Sequence, residues 1–416
     1  MAKRARLDDG SSNINNEHTG QPQEIIIDCQ LIQDKKEIAL PPGIGAISAI
    51  ATWTRSHSCV ASAGVGIDVG SLQQRAAEVA VGTDTGYTAL IRDDGSTVAL
   101  ENSGSPTIQR LLVKDPGVAS GAKYLIPDVV SGDSEGRVSV YKNGRMISRN
   151  TLSAPVSAIA EDCNPHTQRS FIVGDMSGSV TTCHAQDILW RAQVYYPKQS
   201  SDRDSSAVGT GSESENSLEQ GISSVCSVRF PDDFGILTSY VLAASGGNSI
   251  QILSRGHPVL SVPVSAPCNC MCSGDFVSQK DRDAKYATAA DPSTSTQAMF
   301  GDDAGRLLVF DNFEMIPYAQ VDYPVTSIAT IPLRALANVD GPDVVVCGTR
   351  SNVVYVLHAK KVICTFTADF WPVAVDVILP SCSEMSPTIV IAENRAIENR
   401  KTAGFLHRFS LELNVV

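Results

Sequence analysis

One stretch of sequence decides the fold: V-V-S-G-D-S-E-G-R-V-S-V-Y, from Val129 to Tyr141. It consists of two runs typical of β-strands, joined by a short turn that contains Gly and Asp. Close copies occupy Phe171–Val180 and Met299–Phe310, and weaker copies begin at Ala80, Leu242, Val345 and Ile389. A unit that repeats in this way cannot bury its own faces, so neighbouring units must stack in a solenoid or a ring.

The turns suggest why glycine and aspartate recur. A tight connection between antiparallel strands needs residues that accept positive φ angles, which Gly does freely and Asp tolerates. We therefore predict that the repeated residues are structural hairpin turns. They are Gly82, Asp84, Gly132, Asp133, Gly136, Gly174, Asp175, Gly178, Gly301, Asp302, Gly305 and Gly348.

A strand-like run also precedes most copies, as in P-V-S-A-I-A from Pro155, and another follows them, as in G-R-M-I-S-R-N from Gly144. About four strands per unit is the size of a propeller blade. The sequence predicts an all-β protein with a single seven-bladed β-propeller, with six or eight blades as alternatives. The predicted blades open near Ala46, Thr107, Pro155, Gly221, Ala266, Pro324 and Pro372.

Closing such a ring usually requires one terminus to complete the blade that the other terminus makes, because closure removes exposed strand edges. The run E-I-I-I-D-C-Q-L, Glu24–Leu31, is a strand with no hairpin partner nearby. We predict that it pairs with F-L-H-R-F-S-L, Phe405–Leu411. The alternative is that it forms a loose amphipathic segment.

The predicted propeller occupies residues 23–416, behind a disordered tail at residues 1–22. Two polar stretches, residues 198–220 and 275–296, interrupt the repeats. They contain few apolar residues to offset the entropy of ordering, so we predict flexible insertions between strands.

The charge balance limits the possible partners. The formal net charge of −12 argues against a nucleic-acid surface, which needs clustered Lys and Arg. One short basic run, Lys3, Arg4 and Arg6, is either a nuclear-import signal or part of the tail. No apolar run approaches the ~20 residues of a membrane helix, and the first residues do not resemble a signal peptide. We expect a cytoplasmic protein without a transmembrane segment.

Chemistry-bearing residues form few patterns. The seven histidines are scattered and lie beside no nucleophile motif, so we predict no enzyme and assign no catalytic, cofactor-binding or metal-binding residue. Cys268, Cys270 and Cys272 form C-N-C-M-C, and strand alternation would place all three on one face. They are either a soft-metal site or small core and edge residues, and no second cluster completes four ligands.

Two stretches resemble FG-GAP repeats of the integrin α-subunit type, whose intact acidic loops bind calcium through several oxygen ligands. One contains Asp68 and Glu78, and the other contains Asn338, Asp340 and Asp343. Other residue types stand at the remaining acidic positions of both loops. We therefore predict structural turns, with calcium binding as the alternative.

The stretch from Val129 to Asn143 is similar to the hallmark V-V-G-D-x-x-G-K-V-S-V-Y-K-N of the integrin-α FG-GAP repeat-containing protein two family. This resemblance implies a non-catalytic scaffold subunit of the KICSTOR complex. That complex recruits GATOR to lysosomes and restrains mTOR signalling when nutrients are scarce. The companion propeller of the same complex and the ciliary Bardet–Biedl propellers share this style of repeat and remain alternatives, as does a propeller enzyme.

A scaffold of this type would bind other proteins, including a second propeller subunit, and would reach the lysosomal membrane only through those partners. Binding energy at protein interfaces concentrates in a few aromatic or Arg anchors. The candidate partner contacts are Tyr195, Tyr196, Phe313, Tyr318 and Trp371, together with Phe370 beside Trp371. For each of them, core packing is the alternative role.

Overall fold

The structure, a computed structural model, describes residues 27–41, 43–54, 77–92, 94–100, 106–114, 126–164, 170–195, 221–231, 236–277, 296–333, 341–379, 386–397 and 401–415. The strands of these ranges form seven four-stranded antiparallel sheets. The sheets are the blades of one ring, which confirms the predicted all-β seven-bladed propeller. We number the blades in chain order from the one that opens at Ile47.

Blades 1 to 4 each use four consecutive strands. Blade 1 contains β2 (Ile47–Thr54), β3 (Ala77–Thr83), β4 (Thr88–Arg92) and β5 (Thr97–Ala99). Blade 2 contains β6 (Ile108–Lys114), β7 (Asp128–Asp133), β8 (Arg137–Lys142) and β9 (Arg145–Thr151). Blade 3 contains β10 (Val156–Glu161), β11 (Ser170–Asp175), β12 (Ser179–His184) and β13 (Asp187–Gln193). Blade 4 contains β14 (Ile222–Pro231), β15 (Leu237–Ser245), β16 (Ser249–Ser254) and β17 (His257–Pro263).

Blades 5 and 6 follow the same order, and blade 7 joins the two ends of the chain. Blade 5 contains β18 (Cys268–Gly274), β19 (Gln297–Asp302), β20 (Arg306–Asp311) and β21 (Glu314–Gln320). Blade 6 contains β22 (Val325–Ile331), β23 (Val344–Thr349), β24 (Val353–His358) and β25 (Lys361–Thr367). Blade 7 contains β26 (Pro372–Ile378), β27 (Thr388–Ile397), β28 (Lys401–Val415) and β1 (Ile27–Ala39). Each blade opens within about two residues of its predicted start.

The N-terminal strand closes the ring, as predicted. β1 pairs antiparallel with β28, so that Leu31 lies opposite Leu411 and Ala39 lies opposite Phe405. The strand continues beyond the predicted end at Leu31 to Ala39, and its second half covers the junction with blade 1. There Ile38 and the following Leu40 are buried in a cluster with Ile47.

The hydrophobic core lies between blades. Each main cluster joins the facing sides of neighbouring sheets, which is how propeller blades bury the faces that a lone sheet would expose. The aromatic cluster between blades 4 and 5 is one example. Its ring contacts join Phe230 to Phe310 at 5.6 Å between centroids and to Tyr240 at 6.1 Å.

A repeated glycine brings neighbouring blades together. A Cβ atom at Gly132 would lie 2.3 Å from Cγ1 of Val156, the first strand residue of the next blade. At Gly174 the same atom would lie 2.4 Å from Cγ2 of Ile222. We call these contacts the seams. The other seam glycines are Gly82 against Ile108, Gly301 against Val325 and Gly348 against Val375.

The positive-φ explanation given above for these glycines is therefore wrong. Gly132, Gly174 and Gly301 each lie next to last in a strand, and their φ angles are not positive. Gly82 and Gly348 occupy the equivalent positions, opposite the first strands of their blades. Only glycine lets the next blade come so close, because any side chain would overlap it.

Blade 4 shows how the chain adapts where the seam glycine is missing. Ala244 stands at the seam position, since it pairs with Ser224 as Gly174 pairs with Ala158. The next blade opens at Cys268, which is smaller than the Val or Ile of other seams. Ala244 and Cys268 share one buried cluster, so a larger residue on one side accompanies a smaller one on the other.

We expect Gly174→Ala to destabilise the protein by about 1–3 kcal/mol, because the new methyl group overlaps Ile222 in a close-packed seam. The measurement is chemical denaturation of the purified chain. Ile222→Ala opens space beside the glycine, so the double variant is expected to be more stable than the sum of the single effects predicts. Additive single effects would contradict the seam model.

Candidate interaction surface

One end of the ring carries most of the predicted turns. In blades 1 to 6 the turn between the second and third strands lies beside the start of the first strand, as the pairing of Ile47 with Thr83 and of Val325 with Thr349 illustrates. We call this end of the ring the turn face. The segments that lead into each blade lie on it as well, and among them is the one with Trp371.

Aspartate side chains shape three of these turns. Asp133 Oδ1 accepts hydrogen bonds from the backbone nitrogens of Glu135 and Arg137, both at 2.9 Å. Asp175 and Asp302 make the equivalent pairs of bonds in blades 3 and 5. The turn in blade 1 differs, since Asp84 Oδ1 accepts from Ala46 N at 2.9 Å.

The positive φ angles fall later in these turns, at Gly136, Gly178 and Gly305, with φ of 79°, 82° and 77°. A Cβ atom at Gly136 or Gly305 would also lie 2.4 Å from a backbone oxygen of the segment leading to the next blade. Gly136 and Gly305 are therefore needed for both conformation and space, and Gly178 for conformation.

Most of the aromatic candidates pack inside the protein. The Tyr195 hydroxyl donates to Ser249 O at 2.8 Å. Phe313 lies 5.1 Å from the ring of Tyr240, and Tyr318 is 4% exposed, where burial raises its pKa to about 12. Tyr318 is a core residue, and Tyr195 and Phe313 are partly buried side chains that pack against core clusters. Tyr196 lies outside the described residues.

The segment that leads into blade 7 is different. Trp371 is 72% exposed, the highest value among the exposed large hydrophobic side chains of the described residues. Phe370 beside it is 46% exposed, and Val373 is 38% exposed. We call these three residues the Trp371 patch. Val373 is not among the candidate partner contacts predicted from the sequence, because a valine in a strand-like run carries no sign that it is exposed.

An arginine holds the patch in place. The Arg395 guanidinium lies 4.8 Å from the Phe370 ring centroid and 4.4 Å from that of Phe405, within cation–π range. The backbone nitrogen of Phe370 also donates to Glu393 Oε1 at 3.4 Å. Side chains of blade 7 therefore hold Phe370 in place. Trp371 is the next residue and directly precedes β26.

Acidic groups surround this arginine. Its Nη2 atom lies 3.1 Å from Glu37, 3.5 Å from Glu393 and 3.7 Å from Asp369. Glu393 is also 3.0 Å from Nε2 of the buried His407. Glu37 and Asp369 are about half exposed, at 42% and 53% of their side chains. The Trp371 patch therefore has an acidic border.

The cysteine triplet does not share one face. A bulge between Cys268 and Cys270 interrupts the alternation of β18, a feature that the sequence does not reveal. Cys268 packs into the cluster between blades 4 and 5, whereas Cys270 and Cys272 pack between blades 5 and 6. Burial raises the pKa of all three thiols well above the ordinary value, which disfavours the thiolates that bind soft metals.

The eroded acidic loops are mostly outside the described residues, which include neither Asp68, Asn338 nor Asp340, nor the Glu78 side chain. Asp343 is described and is buried, and its Oδ2 accepts from Asp275 N at 2.9 Å. In the described ranges, no group of three or more His, Cys, Asp or Glu side chains has an arrangement suited to a metal ion.

Four residues of the second predicted insertion are described, 275–277 and Thr296. Phe276 and Val277 belong to the core, because they are 1% and 2% exposed and the backbone nitrogens of both donate to Gln297. Thr296 is described too, and its hydroxyl accepts from Arg229 N at 2.8 Å. The rest of this stretch, the insertion at 198–220, and the tail with its basic run lie outside the described residues.

Asp343 makes stability depend on pH. Burial raises its pKa from 3.8 to about 6, so the folded state binds a proton that the unfolded chain releases. Stability should therefore fall as the pH rises from about 4 to 6. Asp343→Asn keeps an acceptor for Asp275 N and removes the charge. We expect this variant to be more stable at pH 7, on the order of 1–3 kcal/mol.

The check is denaturation of both proteins from pH 4 to pH 8, with the difference between them disappearing towards the acid end. Asp187→Asn on the exposed outer strand of blade 3 is the control, and we expect it to change little. A loss of stability at pH 7 in the Asp343→Asn variant would show that the carboxylate makes a favourable charged contact instead.

Comparisons with known proteins show the fold. No protein-family model matches the chain, and no curated protein matches it significantly. Solved structures do match, among them the crystal structure of the WD40 β-propeller domain of Doa1. It has a TM-score of 0.55 and 8% sequence identity, and the match covers 91% of this chain and 98% of that one.

The protein is therefore a WD40-like seven-bladed β-propeller. At this level of identity the likeness carries the fold alone, and the integrin-type FG-GAP family has no support in these comparisons. Within the described ranges, the chain contains no helix with the length and apolar character that a membrane crossing requires.

Proposed function

We propose that this chain is a non-catalytic protein-interaction scaffold that binds a partner through the Trp371 patch. The observation that carries the proposal is the exposure of Trp371, at 72%, beside a half-exposed Phe370. Trp is the residue most typical of interface hot spots, where a few side chains supply most of the binding energy. Propeller folds commonly serve as such scaffolds, because the ring holds its loops rigidly.

The support beneath the patch favours binding. Arg395 holds Phe370 from one side and is itself fixed by Glu37 and Glu393. A contact that is already in place loses less side-chain entropy when a partner binds. The acidic border suggests a partner segment with an apolar anchor next to Lys or Arg.

Our finer proposal is that the chain belongs to a KICSTOR-like complex that regulates amino-acid signalling to the mTOR complex. It would act in the cytoplasm and reach the lysosomal surface through its partners, one of them a second propeller. The support for this is the sequence similarity at Val129 to Asn143 together with the propeller fold. The second candidate is a ciliary or membrane-trafficking propeller of the Bardet–Biedl type, which the same repeat style supports.

We expect Trp371→Ala to reduce partner recovery at least tenfold while leaving the melting temperature unchanged, because the indole is mostly exposed. The measurement is affinity purification of the tagged chain from cells with and without amino acids, with mass spectrometry of the recovered proteins. The matched control is Val362→Ala, which removes an exposed apolar side chain from the outer strand of blade 6.

The outcomes separate the proposals. Recovery of a second propeller and GATOR components with the wild type, but not with Trp371→Ala, supports the KICSTOR-like assignment. Ciliary coat subunits would favour the trafficking scaffold. If both variants recover the same stoichiometric partners as the wild type, the Trp371 patch is not the binding surface, and if the wild type recovers none, the scaffold proposal fails.

A further inference from the structure

A second surface lies on the outer rim of blades 2 to 4 and differs from the Trp371 patch in chemistry. The outer hairpins of these blades consist of the third strand, the turn and the fourth strand, at 137–151, 179–193 and 249–263. They contain six basic side chains and one acidic one, and two of the basic ones, Arg137 and Arg191, are ion-paired with Glu135 and Asp175 outside these ranges. The basic residues are Arg137, Lys142, Arg145, Arg149, Arg191 and Arg255, and the acidic one is Asp187.

Large aliphatic side chains are exposed on the same hairpins, near the start of each fourth strand. Their exposed fractions are 51% for Ile147 in blade 2, 50% for Ile188 and 42% for Leu189 in blade 3, and 53% for Val259 and 40% for Leu260 in blade 4. Exposed apolar residues that stand alone need no explanation. Five of them at similar positions on three adjacent blades indicate an apolar surface that could bind a partner.

Contacts between the blades make this rim continuous. The Ser148 hydroxyl of blade 2 donates to Ala185 O in the outer turn of blade 3, at 3.4 Å. Gly256 in the outer turn of blade 4 lies against Trp190 of blade 3, where a Cβ atom would be 3.1 Å from the indole. β13 therefore sits between two neighbours that contribute basic residues, and Arg145 and Arg255 are both exposed.

β13 is also the edge of its sheet, since the strand order of blade 3 ends with it. An edge strand presents unpaired backbone groups that can pair with an extended peptide. Proline blocks such pairing, and Pro258 and Pro263 stand in the edge strand β17 of blade 4. β13 contains no proline and exposes two adjacent aliphatic side chains.

From these observations we propose that β13 binds an extended acidic segment of a partner protein, which adds to blade 3 as a fifth strand. Its aliphatic side chains would contact Ile188 and Leu189, and its Asp or Glu side chains would meet the basic residues of blades 2 and 4. The proposal rests on the scaffold function above but concerns a separate surface, so the two can fail independently.

The test uses the full chain and a labelled nine-residue peptide in which pairs of Glu or Asp alternate with pairs of Val or Leu, so that both kinds of side chain reach both faces of the added strand. Its twin has Lys in place of every acid. In fluorescence anisotropy, the acidic peptide should bind at least tenfold more tightly than the twin, and more weakly as salt increases. The variants Ile188→Ser/Leu189→Ser and Arg145→Glu/Arg255→Glu should each lose at least tenfold in affinity.

Val362→Ser on the outer strand of blade 6 is the matched control, and Trp371→Ala should bind the peptide like the wild type. Hydrogen exchange of the β13 amides should slow in the complex, because strand addition protects them. Equal binding of the two peptides, or unchanged affinity in both double variants, would overturn the proposal. Light scattering that shows a dimer of the free chain, broken by Ile188→Ser/Leu189→Ser, would instead identify the occupant as a second copy and overturn it too.

Discussion

The close approach of neighbouring blades at the seams is the contact on which the rest of the structure depends. Each four-stranded sheet is apolar on both faces, so it becomes stable only when the next sheet covers it. Five glycines allow a Val or Ile side chain of the following blade to fit against the backbone. Where alanine replaces glycine at Ala244, the facing residue is the smaller Cys268. The seams therefore hold neighbouring sheets close enough to bury each other's apolar faces.

Ring closure differs from the other six seams because strands from both ends of the chain meet there. Ile47 of blade 1 packs against Gly404 of β28, so the tight contact is kept by a different strand. Charges also join β1 to β27 across β28, since Glu37 of β1 lies 3.1 Å from Arg395 of β27. Buried and half-buried charges are costly unless they are paired, and Glu393 and His407 complete this group. The same arginine supports Phe370, so the site of closure is also the base of the Trp371 patch.

The sequence predicts the strands, the seven blades and the closing strand because these follow from local alternation, turns and the repeat period. It gives the seam glycines the wrong role. A glycine just before a turn has the same sequence pattern whether the turn needs its φ angle or the next blade needs the space beside it. The bulge that separates Cys268 from Cys270 has no residue signature. Whether an aromatic residue is buried depends on blades that are distant in sequence, so Phe313 and Trp371 could not be told apart. Arg395 was missed for the same reason, because its partners include Glu37 from the opposite end of the chain.

The two surfaces occupy different parts of a rigid ring and have opposite character. The Trp371 patch is aromatic, lies on the turn face and is bordered by Glu37 and Asp369. The rim of blades 2 to 4 is aliphatic and basic, and it lies away from the blade 7 segment that contains Trp371. Electrostatic complementarity acts mainly on specificity, so opposite charges should direct two different partners to the two surfaces. Since neither surface overlaps the other, the two proposals together would let one chain hold both partners at once, and such simultaneous binding is what a scaffold requires.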